Sequence, residues 1–371
     1  MEWGATAAAT SRTLAHMPAC AAVLALYALI FVLHLIVPGR WVAGYVRDEQ
    51  GAPLRYRLNG LRVMAIVVGL YLVGGLAGLY PWDYLYLHRW EAAFTACALG
   101  LVFTAAIVLT AAPRQGLLAD LFLGRRENPR LLGGHVDAKM FLYLVGAVVL
   151  ELNLLACLAH HILLYPNDPS PGMFLHVGMF TFFLCEYLYF ERVHLYTYDL
   201  FAERVGFKLG WGCLCFYAFF YAVGAWSMAA APNPHTSAST LLATAGLFFA
   251  GWVLARGANL QKYYFKIAPT RPAFGLLRPE TIEQGDRRLL VSGFWGLSRH
   301  INYLGEILMA TGLALALGYP SALGPWLYPL YYVGLLFPRQ HDDDRRCAAK
   351  YGPLWTAYTR RVRWRIIPGI Y

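Results

Sequence analysis

Several carboxyl side chains in this sequence stand inside or beside long apolar stretches, where a charge is costly. Glu151 lies in the middle of "VVLELNLLA", and Glu186, Glu191 and Asp199 follow one another in "CEYLYFERVHLYTYDL". A carboxyl group in such a place usually faces a cavity or a partner. Apolar surroundings raise its pKa, so that it can act as a general acid. The alternative is an interfacial belt of tyrosines with its acids in water.

Cations and aromatic side chains alternate in the last third of the chain. "NLQKYYFK" places Lys262 and Lys266 one helical turn apart. Residues 336–352 and 355–371 add arginines, tryptophans, tyrosines and a run of three aspartates. This mixture suits an anionic aromatic ligand such as a nucleotide cofactor. A basic tail lying on a membrane surface explains the composition equally well. The chain has no GxGxxG and no Walker loop, so a Rossmann or P-loop site is not expected.

The histidines and cysteines do not have the spacing of a metal site. Six of the seven cysteines lie inside apolar blocks, and the chain contains no CxxC motif. Buried cysteines of this kind usually pack as small hydrophobic side chains. The pair His160 and His161 is better interpreted as solvated at the end of a span. We therefore predict no bound metal.

The elements that position these residues are membrane spans. The chain is 58% hydrophobic and only 14% charged, whereas soluble domains carry about 25% charged residues. Blocks long enough to cross a bilayer, which takes about 20 residues, recur along the sequence. They occupy residues 19–37, 63–80, 92–112, 141–165, 173–190, 209–231, 239–255, 302–318 and 321–337. We predict an all-α, polytopic membrane protein of nine to ten transmembrane helices with a cytoplasmic C-terminal lobe.

The basic residues follow the topology of these spans. All but two of the 31 Lys and Arg residues lie in five alternate regions, namely 38–62, 113–139, 192–208, 256–301 and 338–371. The loops between these regions hold only Arg89. Such alternation is the positive-inside pattern, which predicts that the basic loops are cytoplasmic. The net charge of +10 therefore reflects topology and contact with anionic lipid, and a nucleic-acid partner is not expected.

Several motifs in the same order resemble the sterol reductase family, which includes the delta-14 and delta-7 sterol reductases and the membrane domain of the lamin B receptor. The resemblance runs from about residue 38 to Tyr371. The motifs that carry it are "PGRWVAGYVRDEQGAPLRYRLNG", "DLFLGRRENPR", "ERVHLYTYDLFAERVGFKLGWGCL", "NLQKYYFK", "LLVSGFWGLSRHINYLGE" and "CAAKYGPLWTAYTRRVRWRIIPGIY".

The resemblance implies a division of the chain. Residues 1–18 form an N-terminal tail, and residues 19–255 hold transmembrane helices with the substrate-side motifs. Residues 256–371 form an NADPH-binding half with the last helices and the tail. The cofactor positions that match the family are Lys262, Lys266, Leu290, Trp295, Asn302, Tyr303, Arg339, Asp343, Cys347, Ala348, Ala349, Lys350, Tyr351 and Tyr358.

The resemblance also implies the chemistry and its acid. The expected activity is NADPH-dependent reduction of a carbon–carbon double bond in a sterol, by protonation followed by hydride transfer. Glu191 aligns with the Glu of the family's N-E-P motif and is the first candidate for the acid. Asp199 is the second, as an acid or as an orienting group. The expected location is the endoplasmic reticulum membrane in a eukaryote, or the inner membrane in a bacterium.

Three positions depart from the family pattern. Cys213 replaces the Asp of the family's G-D-L motif, Arg126 stands where a Glu is usual, and the Arg-Pro-Gly that usually follows Lys139 is missing. All three departures lie on the substrate side of the chain. Reduction with NADPH is therefore better supported than the identity of the alkene, and a related polycyclic or an isoprenoid lipid also fits as the substrate.

Two other classes of function remain open on the sequence. "SRHINYLGE" is also similar to membrane methyltransferases that use S-adenosylmethionine, although Ile301 replaces their usual Pro and aspartates replace their Glu-Glu pair. A non-catalytic lipid-binding scaffold would retain the same fold. Lys262 and Lys266 favour the reductase over the methyltransferase.

Overall fold

A computed structural model describes residues 18–371. The predicted tail of residues 1–18 lies outside this range except for its last residue. The described chain is mostly helical and forms two compact units, one ending at Asn233 and the other beginning at Pro234. The predicted functional boundary between residues 255 and 256 is a separate matter and stays a prediction.

The first unit consists of helices joined by short β-hairpins. The strands described in this unit form two antiparallel pairs, β1 with β2 and β3 with β4. A π-helical segment at Gly212–Phe220 contains Cys213, which is buried. The elements are α1 (Ala19–Ile36), β1 (Arg40–Arg47), β2 (Pro53–Leu58), α2 (Gly60–Leu76), α3 (Tyr84–Leu87), α4 (Arg89–Leu109), α5 (Leu117–Leu123), β3 (Arg130–Leu131), β4 (Val136–Asp137), α6 (Ala138–Leu164), α7 (Pro171–Tyr189), α8 (Glu191–His194), α9 (Tyr198–Phe201) and α10 (Val223–Met228).

The second unit is built around two helices that pack closely. Gly305 lies against Gly251 and Ala255, and a Cβ at Gly305 would come within 2.5 Å of the Gly251 carbonyl oxygen. Small residues are typical of such interfaces between membrane helices. The elements are α11 (Ala238–Ile267), β5 (Thr281–Gln284), β6 (Arg287–Leu290), α12 (Phe294–Leu297), α13 (Ile301–Ala316), α14 (Leu323–Tyr351) and α15 (Pro353–Arg361), with β5 and β6 forming an antiparallel hairpin.

A helix occupies each of the nine apolar blocks of the sequence. Five of these helices, α1, α4, α6, α7 and α11, are long and apolar enough to cross a membrane. Three further apolar helical stretches are shorter, at Gly60–Leu76, Gly212–Met228 and Ile301–Ala316. The prediction of a helical, polytopic membrane protein is therefore confirmed, whereas the number of nine to ten transmembrane helices stays a prediction. Which loops are cytoplasmic stays a prediction.

Helix α6 is the central element of the first unit, because nearly all of its first twenty residues are buried. Its start is fixed by Asp137, whose Oδ1 accepts a hydrogen bond from the Met140 N–H at 3.0 Å. Lys139 is fully buried and donates to the backbone oxygens of Asp199 and Leu200, both at 3.0 Å. This lysine therefore ties the beginning of α6 to the short helix α9.

Candidate active site

Glu191 lies at the amino end of helix α2. The Gly60 N–H points at both carboxyl oxygens of Glu191, at 3.2 Å each. There is no room for a larger residue, since a Cβ at Gly60 would come within 2.4 Å of Glu191 Oε1. Asn59 fixes the preceding turn by donating to the carbonyl oxygens of His34 and Val37, at 3.0 and 2.9 Å. The Asn-Gly pair of the early motif thus positions the acid.

The surroundings of Glu191 favour its protonated form. The side chain is buried, and burial raises the pKa of Glu191 to about 8, although the hydrogen bond from Gly60 acts in the opposite direction. The adjoining cavity has a volume of about 10 Å³, enough for roughly one water molecule. Its lining is mostly apolar: Met140, Tyr143, Leu144, Tyr187, Leu188, His194 and Leu200. At neutral pH this carboxyl group therefore holds a proton.

Asp199 differs from Glu191 in its setting. It is half-buried on α9, and the buried ammonium group of Lys139 holds its backbone carbonyl. The next residue, Leu200, both accepts from Lys139 and lines the cavity of Glu191. The structure therefore places Asp199 next in sequence to a residue that lines the cavity of Glu191. Sequence reasoning did not assign a role to Lys139, although a lysine at the start of an apolar span was a visible signal.

In the second unit, Lys262 and Trp295 form the contact at the centre of the predicted cofactor site. The Lys262 Nζ lies 4.7 Å from the centroid of the Trp295 ring, and Lys262 is exposed. The indole N–H of Trp295 donates to the Ala258 carbonyl oxygen at 2.8 Å. The Tyr358 hydroxyl group lies 3.5 Å from the Trp295 carbonyl oxygen. Three predicted residues are thus held together.

Gln261 fixes the loop that carries Trp295. Its Nε2 donates to the Ser292 carbonyl oxygen at 3.0 Å, and its Oε1 accepts from the Phe294 N–H at 2.9 Å. Between these two residues Gly293 has a φ of +61°, and a Cβ there would come within 2.4 Å of Gln261. Gln261 was missed as a site residue, although it directly precedes Lys262 in the quoted motif.

One face of α14 carries the polar residues that approach Lys262. Asp343, Cys347 and Lys350 recur at helical spacing, and the charges of Asp343 and Lys350 act on Lys262. The Tyr303 hydroxyl group donates to Asp343 Oδ2 at 2.7 Å. Burial raises the pKa of the Cys347 thiol, which Lys262 acts to lower and Asp343 to raise. The α14 face therefore connects with the start of α13 and with the end of α11.

The remaining predicted cofactor residues are placed differently. Leu290 is buried at the end of β6, Tyr351 lies under the ammonium group of Lys350 at 5.1 Å, and Arg339 is half-buried two turns before Cys347. Ala348 and Ala349 are exposed and point away from the Asp343–Cys347 face. The structure therefore does not bring these two alanines into the group around Lys262, and their role stays a prediction.

Asp344 braces the loop before α13 from the other side of α14. Arg299 and Arg365 each approach its carboxylate at 3.6 Å, and His300 approaches it at 3.8 Å. Burial opposes ionisation, but the contacts with His300, Arg299 and Arg365 hold the pKa of Asp344 below its ordinary value. The polar side chains of residues 289–306 thus serve two purposes. Trp295 contacts Lys262 and Tyr303 contacts Asp343, both in the predicted cofactor site. Arg299 and His300 instead contact Asp344 and fix the loop before α13.

These residues fit an anionic nucleotide. The ammonium groups of Lys262, Lys266 and Lys350 lie close enough to repel one another, and a bound phosphate would lower that repulsion. Trp295 offers a ring face beside Lys262. Within residues 18–371, Asn302 Oδ1 is buried and accepts no hydrogen bond, and buried acceptors usually have a donor. A nucleotide would meet each of these features. Its phosphates would lower the repulsion between the lysines, its rings would stack on Trp295, and an amide or hydroxyl group would donate to Asn302 Oδ1.

Comparison with known proteins shows which family the chain resembles. The model of the Ergosterol biosynthesis ERG4/ERG24 family matches residues 13–371. The chain is 34% identical over 351 residues to "Delta(14)-sterol reductase TM7SF2" of Mus musculus, covering 91% of this chain and 82% of the mouse protein. It is 30% identical over 351 residues to "Delta(14)-sterol reductase" of Arabidopsis thaliana, covering 91% of both chains.

A third relative carries a different name. Over 359 residues the chain is 28% identical to "Probable 7-dehydrocholesterol reductase" of Acanthamoeba polyphaga mimivirus, covering 91% of this chain and 78% of the viral protein. The match to the family model spans nearly the whole sequence, including both the Glu191 region and the Lys262 region. The chain belongs to the Ergosterol biosynthesis ERG4/ERG24 family.

Proposed function

We propose that this protein reduces a ring double bond of a sterol, of the delta-14 or delta-7 type, with NADPH as the reductant. Family membership and the names of the relatives support the sterol and the double bond. The clustered ammonium groups of Lys262, Lys266 and Lys350, with the Trp295 ring beside Lys262, support the cofactor. The apolar helices support a substrate that comes from the bilayer.

Protonation is the first step of the proposed mechanism. An isolated ring alkene has no electrophilic carbon, so one carbon must first accept a proton, which leaves a tertiary cation on the other. Glu191 donates this proton from its buried carboxyl group. The carboxylate that remains is stabilised by the Gly60 N–H and by the amino end of α2. Asp199, whose backbone carbonyl is held by Lys139, helps to orient Glu191.

Residues of the second unit hold the cofactor. Lys262, Lys266, Lys350 and Arg339 bind the phosphates, and Trp295, Tyr303 and Tyr358 line the rings. Asn302 and Asp343 accept hydrogen bonds from amide or hydroxyl donors. When bound, NADPH supplies the hydride that completes the reduction. Gln261 keeps Trp295 in place, because it bonds to the backbone on both sides of Gly293.

The observation that carries the proposal is the burial of Glu191 beside a mostly apolar cavity. A general acid must hold its proton at the working pH, and the pKa of Glu191 of about 8 satisfies this condition. A scaffold that only binds lipid does not need a buried acid, and a methyltransferase transfers no proton to its substrate.

Purified protein tests the proposal directly. Incubation with NADPH and sterols that carry a delta-14 or a delta-7 double bond should yield the reduced sterol, detected by gas chromatography with mass spectrometry. NADPH should also raise the unfolding temperature in a saturable manner. Protection by S-adenosylmethionine instead of NADPH would favour a methyltransferase. Absence of both protection and product would favour the scaffold.

A further inference from the structure

A second buried carboxyl group lies in the first unit, and the proposed reaction does not use it. Glu151 is 2% exposed in the middle of α6. Its Oε1 accepts a hydrogen bond from the Thr181 hydroxyl group of α7 at 2.8 Å. Its Oε2 is buried and meets no hydrogen-bond donor anywhere in the described part of the chain. An unpaired buried oxygen of this kind is costly unless something binds it.

Glu151 and Thr181 lie on the same helix faces as the cavity of Glu191. Leu144 of α6 and Leu188 of α7 line that cavity. Glu151 is seven residues after Leu144, and Thr181 is seven residues before Leu188, so each pair shares a helix face. Seven residues of helix correspond to roughly 10 Å. Along each helix, the polar pair therefore lies about that far from the residue that lines the cavity of Glu191.

The face between the two carboxyl groups is apolar, and one side of it opens outward. Ala147, Val148 and Leu184 are buried along this stretch, and Thr181 and Cys185 are half-buried. Gly178, one turn before Thr181, is exposed, and a Cβ there would meet nothing within 4 Å. The surface of α7 one turn before Thr181 is therefore exposed.

We propose that Glu151 and Thr181 bind the 3-hydroxyl group of the sterol while its ring double bond lies at Glu191. This inference rests on the proposed function. A sterol is a rigid apolar ring system with one hydroxyl group at the end opposite its D ring. An apolar stripe with an acid at one end and a hydroxyl-binding pair at the other matches that pattern. Glu151 Oε2 accepts the hydrogen bond of the sterol hydroxyl, and Thr181 holds the carboxyl group in place.

The test compares two substrates that differ only at position 3: the free 3β-hydroxy sterol and its 3-methyl ether, which cannot donate a hydrogen bond. The wild-type protein should reduce the alcohol with a kcat/KM about 10- to 100-fold higher than that of the ether, because the ether leaves a buried acceptor unpaired. In Glu151→Leu and in Thr181→Val this ratio should fall towards one.

Thr311→Val is the matched control. Thr311 is also half-buried in an apolar helix, but its hydroxyl group donates to its own helix, at the Ile307 carbonyl oxygen. This variant should keep the wild-type ratio. If Glu151→Leu does not fold, the alcohol-to-ether ratios of kcat/KM in the wild type and in Thr181→Val still show whether the pair binds the sterol hydroxyl.

The outcomes separate this inference from the proposed function. A wild-type protein that reduces alcohol and ether equally well overturns the hydroxyl subsite but leaves the reductase proposal standing. The hydroxyl subsite is also overturned, with the reductase proposal intact, if Glu151→Leu and Thr181→Val both keep the wild-type ratio of alcohol to ether reduction. A wild-type protein that reduces neither sterol contradicts the proposed function, and the subsite fails with it.

Discussion

The regions around Glu191 and around Lys262 handle charge in opposite ways. Glu191 is a single carboxyl group in an apolar cavity, and burial keeps it neutral. Lys262 is exposed, and further cations and Asp343 act on it. The first environment keeps a proton on the carboxyl group at neutral pH, and the second suits a charged ligand. The difference teaches that burial sets the character of the first region, whereas the number of neighbouring charges sets that of the second.

Glu191→Gln should have the largest effect, because glutamine keeps the shape but has no acidic proton. We expect kcat to fall by about 10²- to 10⁴-fold, the usual contribution of a general acid, with NADPH binding unchanged. Product formation and thermal protection measure the two properties separately. Glu91→Gln is the control, since Glu91 is an exposed glutamate of the same unit. An equal loss of kcat in Glu191→Gln and Glu91→Gln would contradict the assignment of Glu191 as the general acid.

Lys262→Ala tests the other side of the comparison. Loss of a charged contact to phosphate should raise KM for NADPH by about 10- to 100-fold, with a smaller change in kcat. Titration of the unfolding temperature with NADPH provides an independent measure of affinity. Lys208→Ala is the control, because Lys208 pairs with Glu203 on the surface of the first unit. Unchanged affinity in Lys262→Ala would place the cofactor elsewhere.

The pH dependence sharpens the description of Glu191. Its folded pKa, about 8, lies above the ordinary value of 4.5, so the active, protonated form predominates below pH 8 and is lost above it. We expect kcat/KM to be flat near neutral pH and to fall about tenfold per unit well above pH 8. Burial of this acid also makes stability decrease as pH rises from 4.5 to 8. An activity that increases through pH 8 would contradict the assignment.

Gly60→Ala should have the smallest effect. The added Cβ would overlap Glu191 Oε1, and such overpacking typically costs about 1–3 kcal/mol. We expect a lower unfolding temperature together with a reduced kcat. Gly69→Ala in the same helix is the control, since a Cβ at Gly69 would meet nothing within 4 Å. It should be neutral or slightly stabilising. A Gly60→Ala protein that matches Gly69→Ala would mean that Gly60 does not position the acid.

The sequence predicts the helices better than the contacts between them. Apolar blocks fix where a helix crosses the membrane, because the bilayer excludes unpaired backbone groups. The pairing of Lys262 with Trp295 and of Tyr303 with Asp343 joins residues that the motifs had already marked. The bond between Gly60 and Glu191 was not predictable, because it connects positions 131 residues apart. The roles of Lys139 and Gln261 were missed for the same reason, since their partners are distant backbone atoms.

Deuterium labelling of the reduced sterol tests the central claim most directly. With NADPH deuterated at the transferred position, in ordinary water, the product should contain one deuterium at one carbon of the former double bond. With ordinary NADPH in D₂O, it should contain one deuterium at the other carbon, delivered through Glu191. Glu191→Gln should suppress formation of both products. A sterol that stays unreduced in the presence of NADPH, or a product without the solvent-derived label, would contradict the account.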